Sequence, residues 1–171
     1  MGALAVVALV GRIVVAFALL MLLPLAFAFA GHDAARDAFA TGLGVTLTAG
    51  LAMSLGARRF RRELQPRDGF LLVGLTWVSL PLFGALPLWL AVPGMSYTQA
   101  CFEAVSGLTA TGATVIGGLD ALPASLNVWR CFMMWVGGLG IIVLAVAVLP
   151  LLGVGGAQLF KTEMTGPMKD Q

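Results

Sequence analysis

Long unbroken apolar runs dominate this chain, with none of the alternation of a half-buried strand and no heptad stripe. Four of them, residues 13–30, 38–57, 69–92 and 128–152, are each long enough to cross a bilayer as a helix, which takes about 20 apolar residues. A fifth stretch, residues 97–108, differs. Its 12 residues make about 18 Å of helix at ~1.5 Å per residue, enough to enter a membrane and not to cross it. Pro93 and Gly94 end the run before it, and Ser96 with Gln99 three residues on forms a capping-box signature for a new helix. The small residues Ser106 and Gly107 mark its far end. Thr109, Ala110, Thr111, Gly112, Ala113 and Thr114 follow, and β-branched threonine alternating with small residues favours an extended backbone.

Composition makes the solvent a membrane: the chain is 60% hydrophobic and 11% charged, with a mean hydropathy of +0.98. The fold class expected is therefore an all-α polytopic membrane protein. Two accessory transmembrane helices (residues 1–57) lead through a basic loop (58–68) into one helix, re-entrant loop, helix unit (69–152), and residues 153–171 form a linker. The first run ends in AFAFAG, similar to a signal-peptidase site, but 18 apolar residues after Arg12 exceed the ~7–15 of a signal sequence, and an uncleaved first span is preferred.

Charge placement orients the helices. Five of the ten Lys and Arg residues lie within residues 58–67, which puts that loop and the amino terminus in the cytoplasm of a cell whose inner membrane holds the protein. Residues 31–37 and 93–127 are then outside, and the tail with Lys161 and Lys169 is inside. Trp89, Tyr97 and Trp129 mark the outer interface, and Arg12 and Arg130 are read as snorkelling anchors. A net charge of +2 points to no nucleic acid. His32 has only Asp33 and Asp37 near ligand spacing, so no metal role is expected of it. Cys101 and Cys131 are read as small apolar residues, with a disulfide between them left open.

The chemistry concentrates in residues 103–114. Extended backbone is tolerated at membrane depth only where protein buries it or water reaches it, so residues 109–114 imply a cavity. Carbonyls lining a cavity replace the water around a cation, as in potassium filters, and the partially negative end of helix 97–108 points the same way. Gly112 either allows successive carbonyls to face one axis or serves a tight turn. Glu103 either braces the loop by bonding its amides or faces outer water. Gly137, Gly138 and Gly140 allow close helix packing, a better fit than a phosphate loop, since no strand precedes them. No Ser/His, Cys/His or paired carboxylate set supports an enzyme.

The segments FEAVSGLTATGAT (102–114) and NVWRCFMMWVGGLGIIVLAVAVLPLLGVGGAQLFKTEMTGP (127–167) resemble the first pore repeat of the TrkH/KtrB-type superfamily of potassium uptake proteins, in its TrkH branch. The resemblance implies four such repeats around a central path, with Gly112 the filter glycine. The carbonyls of Ala110, Thr111, Gly112 and Ala113 would bind K⁺, the transported substrate, with Thr109, Thr114 and Glu103 in support and no covalent cofactor. It further implies the lipid bilayer, the remaining repeats and a cytosolic nucleotide-binding ring as partners, with a homodimer open. Only one repeat is found here, so the chain is read as the amino-terminal portion of a longer protein. The alternative is a truncated, non-conducting membrane assembly protein.

Overall fold

The computed structural model describes residues 2–57 and 65–148, which form helices joined by turns. Among the described residues, four helical spans are long and apolar enough to cross a membrane. The first, Leu4–Ala30, consists of α1 (Gly2–Leu20) and α2 (Leu22–Ala30). Pro24 breaks the pair: it has no N–H for the carbonyl four residues back and its ring crowds that turn, and the amide of Met21 instead closes a tighter turn onto the carbonyl of Ala18 at 3.0 Å. The helix runs through exposed Arg12, a good helix former, so this span begins nine residues before the apolar run at 13 suggested (13 − 4 = 9).

After the turn at 31–35, α3 (Arg36–Gly56) spans 21 residues, roughly 32 Å. The third span, Arg67–Ala91, comprises α4 (Pro66–Gly84) and α5 (Leu86–Ala91), interrupted at Ala85, where Pro87 removes the amide that the carbonyl of residue 83 would accept. The short α6 (Tyr97–Leu108) and the long α7 (Ala124–Val148) complete the order. Most of the basic loop (58–64) and residues 149–171, with Gly153, Gly155, Gly156, Lys161 and Lys169, lie outside the described residues.

Small residues set the helix crossings, as close backbone packing in a membrane requires. A Cβ on Gly11 would lie 2.8 Å from the carbonyl oxygen of Gly50, and one on Gly50 would lie 2.9 Å from the amide nitrogen of Val15, so α1 and α3 touch backbone to backbone. One core cluster joins α1, α2, α3, α5, α6 and α7 through Phe17, Ala28, Phe39, Leu88, Leu108, Trp129 and Met133.

Two expectations are corrected here. Trp129 is fully buried, 5.4 Å from the Phe17 ring and 6.3 Å from that of Phe39, and its indole N–H donates to the carbonyl of Gly84 at 2.9 Å. It is a core residue and not an interface anchor, because α7 starts at Ala124 rather than at 128 and carries Trp129 past its first turn into the protein. Arg130 is drawn inward on the same turn. Trp89 and Tyr97 do stay exposed, their rings edge-on at 5.5 Å, and both cysteines are free thiols.

Candidate functional site

The site is built on α6. At its start the Ser96 hydroxyl accepts from the Gln99 amide at 3.3 Å, while the Gln99 side-chain oxygen accepts from the Ser96 amide at 2.8 Å, so two otherwise orphaned donors are satisfied reciprocally. Its buried residues include Ala100, Glu103, Ala104, Ser106, Gly107 and Leu108, spaced three and four apart as one helix face requires. α7 covers part of that face. A Cβ on Gly107 would sit 3.2 Å from that of Met133, and a Cβ on Gly137 would fall onto the carbonyl of Leu108. Of the three glycines read as packing residues, only Gly137 makes such a contact among the described residues: Gly138 has nothing within 4 Å of its Cβ position, and Gly140 only the Trp77 ring at 3.9 Å.

The carboxyl end of α6 turns over in a Schellman arrangement. The amide of Ala110 donates to the carbonyl of Gly107 and that of Thr111 to the carbonyl of Ser106, each at 2.9 Å, which places Ala110 at the position that glycine usually fills. Its φ is +55°. Gly112 repeats the left-handed conformation at φ +76°, while Thr111 and Ala113 are not among the positive-φ residues. Left-handed residues at alternate positions are a backbone arrangement that lets successive carbonyls be turned to one side, and residues 109–115 are all exposed along that loop. No atom lies within 4 Å of a Cβ built on Gly112, so glycine is needed there for its backbone angle and not for space.

Side chains of α6 hold the loop from behind. The Ser106 hydroxyl donates to the carbonyl of Ala113 at 2.6 Å. Glu103, whose side chain is only 1% exposed, accepts through Oε1 from the Thr114 hydroxyl and the Val115 amide, each at 2.6 Å. Its Oε2 accepts from Nε of Arg130 at 3.1 Å. Glu103 therefore sits behind the loop, not in open water, and Arg130 is its ion partner and not a headgroup anchor, with a side chain 11% exposed. Thr109 caps the helix end by donating to the carbonyl of Val105 at 2.8 Å, and its hydroxyl meets that of Thr111 at 2.7 Å.

The sequence had marked Glu103 but not its partner. The signal was available: a buried carboxylate demands a counter-charge, and Arg130 is the first basic residue after Arg67. Ser106 carried no comparable signal beyond its small size. Among the described residues no group of three or more His, Cys, Asp and Glu side chains is arranged to hold a metal ion, and His32 lies in the turn between α2 and α3 with φ +49°.

Outside the loop, Asp33 ties that turn to the start of α7. Its carboxylate accepts from the amide of Ala35 at 2.7 Å and from that of Ser125 at 3.0 Å. Burial, the largest single influence, pushes its pKa up, but the amides of Ala35 and Ser125 together with the Ser125 hydroxyl outweigh it and hold the pKa below the ordinary carboxylate value.

Residues 36–171 match the family model TrkH, described as a cation transport protein. The Trk system potassium uptake protein TrkH of Halomonas elongata is 47% identical over 163 residues, a match covering 95% of this chain and 34% of that protein. Its counterpart in Escherichia coli K12 is 45% identical over 167 residues, covering 97% and 35%. The crystal structure of the potassium transporter TrkH from Vibrio parahaemolyticus superimposes with a TM-score of 0.84 at 43% identity, over 95% of this chain and 35% of that one. The chain thus spans about a third of the length of the curated relatives that it matches.

Proposed function

The chain belongs to the TrkH family of cation transport proteins, and from that premise we propose that it takes part in potassium uptake across the cytoplasmic membrane, supplying one quarter of a channel-like filter. It is an all-helical, multi-pass membrane protein in a family of transporters, not enzymes. In this proposal Ala110, Thr111, Gly112 and Ala113 present carbonyls to a dehydrated K⁺, and Thr109, Thr114 and Glu103 support them. The remaining walls come from the other pore repeats of the full-length protein, its amino terminus faces the cytoplasm, and a cytosolic nucleotide-binding ring controls opening.

The observation that carries this reading is the alternation of hand at Ala110 and Gly112 in an exposed, non-helical segment beyond a helix of only 12 residues. Such backbone is stable at membrane depth only against a water-filled cavity or protein, and a row of carbonyl dipoles favours cations. The Ala113 carbonyl has one lone pair engaged by Ser106, which leaves the other for an ion. The alternative, a non-conducting assembly protein, would dock on other helices through the glycines of α7. Gly137 is occupied within the chain by Leu108, and no observation favours that reading.

Gly112→Ser in the full-length protein tests the proposal. A side chain at φ +76° is disfavoured by about 1–2 kcal/mol, which is enough to move the carbonyls. Growth at limiting K⁺ and the ratio of K⁺ to Na⁺ uptake are both expected to fall, the ratio by about tenfold. If both stay at the wild-type level, the filter assignment is wrong.

A further inference from the structure

Arg130 makes no contact that the proposed filter needs for ion binding, yet its side chain is only 11% exposed and is paired with the Glu103 carboxylate. Glu103 divides its two oxygens: Oε1 holds Thr114 and Val115, at the outer end of the filter, and Oε2 takes Arg130. The three groups form a chain running from α7 through α6 to the loop. The space they share with Ser106, Gly107, Gly112, Ala113 and Met134 amounts to about 10 Å³, at the lower limit for a single water. There is no room for a second ion behind the loop, and the carboxylate is not free to serve as an ion ligand.

We propose that Arg130 is a positioning residue for ion discrimination: by fixing Glu103 it prevents the filter backbone at residues 112–115 from closing around a cation smaller than K⁺. This rests on the filter reading above. Without the guanidinium, Oε2 would lose the donor that holds it in a buried site, and the carboxylate would turn toward other donors or water, taking Oε1 with it. Held by the guanidinium, Oε1 stays where two donors meet it at 2.6 Å, and charge-assisted bonds of this kind are about twice as strong as neutral ones. The backbone is then stiff where the outermost carbonyls face the ion. Arg130 touches no ion, so its effect appears in selectivity more than in rate.

The experiment compares Arg130→Gln, Glu103→Gln and the double variant in the full-length protein, with membrane abundance, saturating K⁺ uptake and the K⁺/Na⁺ uptake ratio measured for each. Each single variant is expected to lower the ratio by about tenfold at wild-type abundance, and the double to lower it no further than the singles, since both act through one coupled pair. If Arg130→Gln is lost from the membrane, Arg130→Lys is read in its place. Lys keeps the charge without the planar fork, and a smaller fall in the ratio is expected. A wild-type ratio in an abundant single variant, or additive losses in the double, overturns the proposal. Gly112→Ser in the same assay separates the two claims. If it shifts the ratio and the Arg130 variants do not, the filter stands and the brace falls; if none shifts it, the filter reading itself has failed.

Discussion

Ala110 and Gly112 share the left-handed conformation two residues apart, and the two positions differ in what enforces it. At Gly112 nothing crowds the Cβ position, so the backbone angle alone selects glycine. At Ala110 a Cβ is present and the angle persists, because two hydrogen bonds onto the carbonyls of Ser106 and Gly107 fold the helix end over it. The strain, about 1–2 kcal/mol for an L-residue, is offset by those bonds. Ala110→Val should therefore lower the thermal stability of the detergent-purified protein, since a β-branched side chain fits this region worse, by roughly 1–2 kcal/mol. Ala110→Gly should melt no lower than the wild type, because relief of strain balances the added freedom of the unfolded chain. A valine variant as stable as the parent would show that the turn is not held as described.

At the scale of elements, α6 is tied at both ends and along one face, whereas α7 depends at its start on a residue far away in sequence. Asp33 satisfies the amide of Ser125 across 92 positions and so pins the α2–α3 turn to the first turn of α7. Its depressed pKa means that the stabilisation is fully present above the unfolded value of about 3.9 and is lost as pH falls through the lower, folded one. Hydrogen exchange at the Ser125 amide, corrected for intrinsic rates, should show protection near neutral pH that declines in acid. In Asp33→Ala, protection should drop by about tenfold at neutral pH and lose its acid dependence. Protection indifferent to both changes would rule out the tie. Elements with local signals were legible in the sequence: Ser96 and Gln99 announce α6, and its small-residue end announces the turn. What could not be read came from distance. The Asp33–Ser125 tie and the Gly11–Gly50 contact leave no periodic trace in an apolar chain. Pro24 and Pro87 were visible, but the runs around them read as continuous because hydropathy does not register a missing amide.

For the whole molecule, orientation follows from how the charges are used as much as from where they fall. Arg130 is neutralised internally by Glu103, and Arg36 lies 3.3 Å from Asp37, so neither adds much to a positive side. In the orientation proposed above, the asymmetry rests on the basic residues at 58–67, which the positive-inside rule assigns to the cytoplasm. α3, at roughly 32 Å, carries the chain from the turn containing Asp33 to that loop. The Asp33–Ser125 bond puts the start of α7 at the same end as that turn, and Ala121, exposed just before α7, belongs to this opposite side. A background with Cys101→Ser and Cys131→Ser, and any cysteine elsewhere in the full-length protein replaced likewise, removes the native thiols. In it, Gln65→Cys should resist a membrane-impermeant maleimide applied to intact cells and react only after permeabilisation, while Ala121→Cys should react at once. Reversed labelling would place the filter loop at the cytoplasmic mouth, and would make the Glu103–Arg130 brace a feature of ion exit rather than of ion entry.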